Sequence, residues 1–339
     1  MVTSAANGTR VLLLQVDGKL PNVALMRIAA HHRALDDSVE LRRTPTVASI
    51  HRDLFDRHDR VYASAIFERS RPVADRIREV YPGAVVGGTG VDLATTLEGV
   101  GVTTLDQDYS VYPGFSASIG FTQRGCRLRC PFCVVPAKEG AVREEQTIAS
   151  LWRGDPHPRH LHLLDNDFFG QPRWQERVAE IRDGGFRVCF SQGINARVID
   201  EEVATAVASV DYRDDSFKVR RVYTAWDSAR DEARLFRGLD LLVAAGVKPD
   251  HVMVYMLVGY WAGETATDRE HRRARLRDFG ARPYPMPYKR SPELLAFQRW
   301  VVGAYDKTIP WSRWMSARGQ PQNLTSARQL PLLQEEAPS

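Results

Sequence analysis

The first hundred residues alternate between short apolar runs and stretches with apolar side chains at helical spacing. Strands are predicted at residues 10–16, 60–64 and 84–87. Helices are predicted at residues 22–35 and 71–80. Alternation of this kind indicates parallel strands joined by helices. We therefore expect a small Rossmann-like α/β domain over residues 1–110.

A second and more regular alternation begins near residue 117, after a stretch without periodicity at residues 105–116 that we interpret as a linker. Six strands are predicted at residues 117–121, 160–165, 187–192, 219–225, 251–258 and 282–288. Helices are predicted at residues 144–153, 172–184, 199–209, 229–245, 264–279 and 292–304. Six β/α repeats are too few for a closed eight-fold barrel. The prediction is a partial (β/α)6 TIM-type barrel over residues 117–290, followed by a C-terminal helix and tail over residues 291–339.

The composition indicates the general class of protein but not the reaction or ligand. Hydrophobic residues make up 43% of the chain and charged residues 26%, as expected of a packed globular protein. No apolar run approaches the roughly 18 residues needed to span a bilayer, and the first residues lack the pattern of a secretion signal. We expect a cytoplasmic protein without a membrane partner. A net charge of +4 allows an anionic ligand without demanding nucleic acid.

Three of the four cysteines, Cys126, Cys130 and Cys133, follow a predicted strand with the spacing C-x3-C-x2-C. Three thiolates on one short loop can bind three irons of a cubane cluster and leave the fourth iron open, as a catalytic site requires. Three arginines surround the loop and are expected to keep the thiols deprotonated: Arg124, Arg127 and Arg129.

Two other interpretations of the cysteine loop stay open. A structural zinc site needs a fourth ligand, which could come from Cys189, His157, His160 or His162. An electron-transfer cluster would use Cys189 as its fourth ligand. Strand alternation argues against this second alternative: if Gln192 faces the lumen of the barrel, Cys189 points to the helix layer. Buried cysteines commonly behave as small hydrophobic residues.

The cysteine spacing, with the aromatic Phe132 before the last cysteine, resembles the signature of the radical S-adenosylmethionine (SAM) superfamily over residues 117–290. Residues 118–140 are similar to a subgroup whose N-terminal domain is related to cobalamin-binding domains. The resemblance implies a 4Fe–4S cluster on the three cysteines that cleaves SAM to a 5′-deoxyadenosyl radical. It also implies an electron donor such as flavodoxin or ferredoxin and a small polar or nucleotide-linked substrate, in specialised biosynthesis.

Cobalamin itself is not expected, because the Asp-x-His-x-x-Gly loop that supplies the lower cobalt ligand in such domains is absent. The glycine-rich segment at residues 87–90 follows a predicted strand. It would face a phosphate or cofactor tail, or form a tight turn.

By the same resemblance, polar and apolar residues at the ends of the later predicted strands would contact SAM, on the side where parallel α/β folds bind ligands. They are Asp165, Asn166, Asp167, Gln192, Asn195, Arg197, Thr224, Trp226, Asp227, Leu257 and Gly259. Phe132, on the cysteine loop, is expected to contact the cofactor as well. The chain departs from the superfamily at residues 163–169, where many members have a Gly-Gly-Glu stretch. The alternatives are a turn and helix cap for the Asp/Asn group, a surface salt bridge for Arg197 and a core position for Trp226.

The substrate and the reaction outcome cannot be determined from the sequence. Modification of a nucleic-acid base, or a non-enzymatic zinc or iron–sulfur module that binds nucleic acid, are the alternatives to a metabolite enzyme. A C-terminal group of aromatic and basic residues could stack on a base or bind a phosphate, but helix packing is the favoured interpretation. The group is Trp300, Trp311, Arg313, Trp314 and Arg318. The row Arg272, Arg273, Arg275 and Arg277 is interpreted as a solvated, salt-bridged helix face.

Overall fold

A computed structural model of the chain describes residues 8–52 and 57–317. Its strands are β1 (Arg10–Gln15), β2 (Ser38–Arg43), β3 (Arg60–Ser64), β4 (Val85–Gly87), β5 (Ser118–Gly120), β6 (Gln123–Arg124), β7 (Arg143–Glu144), β8 (His160–Leu163), β9 (Arg187–Phe190), β10 (Asp211–Tyr212), β11 (Val222–Ala225), β12 (Val252–Val258) and β13 (Arg282–Pro287). Its α-helices are α1 (Val23–Arg33), α2 (Arg71–Val80), α3 (Val135–Glu139), α4 (Ile148–Leu151), α5 (Trp174–Asp183), α6 (Glu201–Ser209), α7 (Glu232–Ala244), α8 (Ala266–Phe279), α9 (Pro292–Val302) and α10 (Trp311–Ala317).

The first sheet is parallel and has the strand order β2-β1-β3-β4. Strand β1 is apolar on both faces, as expected of a strand covered on both sides. Val11 and Leu13 pack in one cluster with Leu25 of α1, whereas Leu12 packs in another with Ile77 of α2. The predicted α/β class with parallel sheets is confirmed.

A second parallel sheet has the order β10-β9-β8-β5, and a third has the order β11-β12-β13. Each of the six strands predicted after residue 117 is present within one to three residues of its predicted bounds. The helix predicted at residues 144–153 is only the single turn α4.

The two faces of the second sheet have different neighbours. Gly120 on β5 pairs with Leu163 on β8, and Leu163 pairs with Phe190 on β9. These three paired positions form one row across the sheet and point to the same face. A Cβ atom on Gly120 would lie 2.3 Å from Leu151 of α4. Phe190 contacts two phenylalanines of the turn that precedes α5. This row therefore faces the helices, and the alternate row of β5, β8 and β9 faces the other way.

That alternate row contains His162 and its register partner Cys189. The prediction that Cys189 points to the helix layer is therefore wrong. The argument carried strand alternation back from Gln192, but β9 ends at Phe190 and residues 191–192 form a turn, where alternation does not apply.

Two compact units make up the described chain. One runs to Thr224 and includes Ala233–Val252, and the other comprises Ala225–Glu232 and the chain from Met253 onward. In the second unit Trp300 is buried and packs against Phe297 and Trp311, as the helix-packing interpretation predicts. The tail predicted from about residue 317, including Arg318, lies outside the described residues.

None of the helices in the described ranges combines the length and apolar content that crossing a bilayer requires.

Candidate metal centre on the loop after β5

The three clustered cysteines lie on the loop that runs from β5 through β6 to α3. Cys126 and Cys130 are half-buried and Cys133 is exposed. The backbone N–H of Cys133 donates to the carbonyl of Cys130 over 3.0 Å, so the last cysteine closes a tight turn on the second. The backbone N–H of Leu128 points at Sγ of Cys126 over 3.4 Å. Phe132, between the last two, is half-buried.

Burial raises the pKa of the Cys126 thiol, and the nearby Asp167, Cys133 and Cys130 raise it further. The expected stabilisation of the thiolate by three arginines is therefore not found at Cys126. Two of those arginines are neutralised by carboxylates: Arg124 lies 3.0 Å from Glu139, and Arg127 lies 2.9 Å from Asp167. Because its pKa is raised, the Cys126 thiol would lose its proton most readily to a bound cation.

Asp165, just past the end of β8, anchors the start of the cysteine loop. Its Oδ1 accepts from the backbone N–H of Thr122 (3.0 Å), the hydroxyl of Thr122 (2.6 Å) and the backbone N–H of Gln123 (2.7 Å). The carboxyl is 3% exposed, and burial raises its pKa to about 6. Asp165 thus holds the loop in place, as the turn interpretation predicts, and its contacts are with the chain itself.

Asp167 and Asn166 also contact the loop. Asp167 is buried and pairs with Arg127, and its backbone carbonyl accepts from the side chain of Gln123. Burial raises the pKa of Asp167, which Arg127 opposes. Asn166 donates to Oε2 of Glu139 over 3.0 Å. All three residues of the predicted Asp/Asn group therefore lie at the cysteine loop.

Glu139, at the end of α3, is a residue that sequence reasoning did not identify. Its Oε2 accepts from the backbone N–H of Gly125 (2.9 Å) and from Asn166, while its Oε1 pairs with Arg124. Glu139 therefore joins both ends of the cysteine loop to the end of β8. The partners of Glu139 come from other segments of the chain, so no pattern in the sequence around Cys133 indicates them.

Gly125 immediately precedes the first cysteine and has φ +81°. A Cβ atom there would lie 2.4 Å from the carbonyl oxygen of Ala141. The loop therefore needs glycine both for its left-handed conformation and for the close approach of a second backbone segment.

The predicted residues after β9 reach the same loop. Oδ1 of Asn195 accepts from the backbone N–H (3.3 Å) and Nε (3.1 Å) of Arg197, so the amide orients the guanidinium. Nη2 of Arg197 lies 3.8 Å from Sγ of Cys130. Gln192 is exposed on the preceding turn. Thr224 is buried, and its hydroxyl accepts from the backbone N–H of Ala196, which supports the turn that carries Arg197.

An arginine-lined groove extends from Arg197. It has a volume of about 510 Å³ and is lined by Arg197, Val198, Ala233, Arg234 and Arg237. Three guanidinium groups in one groove are suited to a carboxylate or phosphate group. Arg234 and Arg237 lie on α7, where the sequence shows only alternating charged and apolar residues.

The glycine-rich segment at residues 87–90 also approaches the cysteine loop. The ammonium of Lys138, on α3, donates to the hydroxyl of Thr89. Burial lowers the pKa of Lys138, and Arg124 lowers it further. Gly88 has φ +112°, and a Cβ atom there would lie 2.3 Å from the carbonyl oxygen of Ala65. Residues 87–90 thus form a tight turn, which is one of the two predicted alternatives. Thr89 of this turn contacts Lys138 on α3.

The remaining predicted residues belong to the second unit. Trp226 is fully buried and its indole N–H donates to the carbonyl of Ser228 over 2.8 Å, as expected of a core tryptophan. The carbonyl of Asp227 accepts from the indole of Trp261. Leu257 is half-buried, and Gly259 is exposed with φ +76°.

The arginine row on α8 is salt-bridged, as the sequence predicts, but only part of it is solvated. Arg272 is 1% exposed and donates to the carbonyls of Trp226 (3.0 Å) and Leu257 (2.9 Å) and to the carboxylate of Glu264. The same carboxylate accepts from the backbone N–H of Gly259. A buried cation therefore joins the ends of β11 and β12 and provides hydrogen bonds to two of their carbonyls.

The chemistry of the site has to be inferred from its own residues. Comparisons with family models, with curated proteins and with solved structures find no match to this chain. The basis for a functional assignment is therefore the three thiols on one loop, the carboxylates that hold that loop, and the arginines beside it.

Proposed function

We propose that the chain is a radical SAM enzyme in which Cys126, Cys130 and Cys133 hold a 4Fe–4S cluster. The observation that carries this proposal is the presence of three thiols on one short loop at the end of a parallel strand. The fourth cysteine, Cys189, lies in a separate group, where its thiol donates to Asp215 over 3.2 Å. The proposal includes the finer fold assignment, a Rossmann-like domain followed by a partial (β/α)6 barrel.

The loop fits a cluster with three protein ligands. The N–H of Leu128 and the guanidinium of Arg197 both point at sulfur atoms, and donors to cluster sulfurs set the reduction potential of such centres. The half-buried cysteines leave an approach from solvent. Three ligands also leave one iron open to bind an exogenous group.

When bound, the cluster would supply the electron that cleaves SAM to methionine and a 5′-deoxyadenosyl radical, which removes a hydrogen atom from the substrate. The chain's own residues would position the reactants. Arg197, whose guanidinium Asn195 orients, would supply positive charge for a carboxylate group of the ligand. Asp165 and Glu139 hold the cysteine loop through the contacts described above.

The substrate class that we propose is a small polar or nucleotide-linked molecule, with flavodoxin or ferredoxin as electron donor. The arginine-lined groove beside Cys130 supports an anionic group on the ligand. Contacts of SAM with Phe132, Gln192, Trp226, Asp227, Leu257 and Gly259 stay predictions from the sequence.

The test is anaerobic reconstitution with iron and sulfide, followed by addition of SAM and dithionite and analysis of the products. We expect about four irons per chain and release of 5′-deoxyadenosine. Cys130→Ala should lose both. The matched control Cys189→Ala removes a thiol outside the loop and should keep both. One zinc per chain, or a cluster that never cleaves SAM, would refute the proposal.

A further inference from the structure

A second group of metal-binding side chains lies on the face of the second sheet opposite α4 and α5. It consists of His162 on β8, Cys189 on β9 and Asp215 on the loop between β10 and β11. One donor atom from each lies within 4.8 Å of the other two. The hydroxyl of Ser191 adds a fourth polar atom, 3.3 Å from Nδ1 of His162 and 3.5 Å from Sγ of Cys189.

The fold builds this group from two strands and one closed loop. His162 and Cys189 are register partners on neighbouring parallel strands, so their side chains lie side by side. The loop that carries Asp215 is closed by Asp214, whose Oδ1 accepts from the backbone N–H groups of Lys218 (3.0 Å) and Val219 (3.2 Å). Asp215 therefore reaches the sheet from a loop with its own internal hydrogen bonds.

Aromatic packing fixes that loop against the histidines. Phe217 is buried and has φ +59°, a left-handed conformation that costs a non-glycine residue about 1–2 kcal/mol. Its ring stacks on the ring of His160, with 4.5 Å between the ring centroids. It contacts the ring of His162 edge-on, with 4.7 Å between the centroids. Such strain persists only where the surroundings enforce it. The approach of Asp215 to Cys189 and His162 is thus imposed by packing.

An imidazole, a thiol and a carboxylate are the three ligand types that zinc prefers in proteins. Burial lowers the pKa of His162 to about 4, so its imidazole is neutral and able to bind a metal at neutral pH. Zinc–ligand bonds of about 2.0–2.3 Å place tetrahedral donors about 3.5 Å apart. The three donors lie within 4.8 Å of one another and would have to close to that spacing when an ion binds.

We propose that His162, Cys189 and Asp215 bind one Zn²⁺ ion, separate from the cysteine loop. Binding releases the thiol proton of Cys189 to solvent and replaces its hydrogen bond to Asp215 by two bonds to the metal. The hydroxyl of Ser191 or a water molecule completes the tetrahedron. The ion cross-links β8 and β9 to the loop after β10, so it stabilises the folded chain.

The experiment uses the full chain with Cys126, Cys130 and Cys133 all replaced by alanine, which leaves Cys189 as its one thiol. Under anaerobic conditions Co²⁺ is added as a spectroscopic substitute for zinc. We expect one Co²⁺ per chain with thiolate-to-cobalt charge-transfer absorption, displaced by Zn²⁺. A further Cys189→Ala substitution should abolish the absorption. His157→Gln, a histidine outside the group, is the matched control and should leave it unchanged.

Two results would overturn the proposal. One is a triple variant with native circular dichroism that binds no Co²⁺, which would leave only a thiol–carboxylate hydrogen bond. The other is an absorption band that survives Cys189→Ala. If the triple variant does not fold, zinc content is compared between the wild-type chain and Asp215→Asn, both purified with zinc and without iron. The proposal requires a deficit of one zinc per chain in Asp215→Asn. The iron content and SAM cleavage of the reconstituted wild-type chain test the other site separately.

Discussion

Asp165 is a buried carboxyl whose environment makes its ionisation dependent on folding. Its pKa rises from 3.8 to about 6 because burial outweighs the donors of Thr122 and Gln123. Between these two values the folded chain binds more protons at this group than the unfolded chain does. The group's contribution to stability is therefore fully present below about pH 4 and is lost as the pH rises through about 6.

We predict that the free energy of unfolding of the wild-type chain falls by about 2 kcal/mol between about pH 4 and pH 7, relative to that of Asp165→Asn, which does not titrate. Urea denaturation at a series of pH values measures the difference. Asp183→Asn removes an exposed carboxylate paired with Arg182 and is expected to give a nearly flat difference. A difference that rises with pH at Asp165 would show that the hydrogen bonds outweigh burial.

Gly125 shows how one backbone conformation limits what the cysteine loop accepts. Gly125→Ala adds the left-handed cost of about 1–2 kcal/mol and a contact at 2.4 Å with Ala141, so the loop has to move. We expect the reconstituted variant to lose most of its iron, as measured by iron analysis and absorption.

The matched control for Gly125 is Gly101→Ala. Gly101 has φ +82°, and a Cβ atom there meets nothing within 4 Å. This variant carries the conformational cost alone and should keep its iron. Equal iron content in the two variants would mean that the close approach to Ala141 does not matter for the cluster.

At the scale of elements, α8 acts as a connector through Arg272. Arg272→Met removes the donors to the carbonyls of Trp226 and Leu257 and leaves the carboxylate of Glu264 with only its longer contact to Arg269, at 3.9 Å. We predict that the free energy of unfolding falls by about 3–5 kcal/mol, measured by urea denaturation.

Arg275 on the same helix provides the comparison, because its side chain is 47% exposed and pairs with Glu232 at the surface. Arg275→Ala is expected to cost less than about 1 kcal/mol. Similar losses in the two variants would contradict the connecting role of Arg272.

Strands and helices with a clear run or repeat of apolar residues were predictable from the sequence. Strands whose residues are all partly exposed were not. Strand β1 is apolar from Val11 to Leu14, and its bounds were predicted to within one residue. Strand β2 reads SVELRR and has no fully buried residue, so its pattern resembles a polar loop. It forms because all six of its residues pair with β1 in a parallel ladder. This pairing is a tertiary interaction, which the local sequence does not indicate.

At the scale of the whole molecule, the sequence indicated which residues gather at the cysteine loop but not what they contact. The strand ends did bring Asp165, Asn166, Asp167 and Arg197 to the loop, because the carboxyl ends of neighbouring parallel strands share one edge. Their partners depend on side-chain directions in turns, for which no period exists. Glu139 was missed and Cys189 was placed on the wrong face for that reason.

The overall charge of the chain is likewise a poor guide to its surface. The positive groups exceed the negative ones by only four, and several arginines are buried: Arg27, Arg177, Arg269 and Arg272. Each of these cations is paired with a carboxylate of the chain, and Arg272 also donates to two backbone carbonyls. The groove lined by Arg197, Arg234 and Arg237 is a local group of cations that the overall charge balance does not indicate.

The anchoring of the cysteine loop by Asp165 has a consequence for protein engineering. Residues 122–133 contain all three cysteines, yet their starting point is set by a carboxylate that comes from a neighbouring strand. The loop is therefore not expected to keep its conformation when residues 122–133 alone are transferred to another protein. Grafting it onto another parallel sheet would require an acidic residue at the end of the adjacent strand and a second one in the position of Glu139.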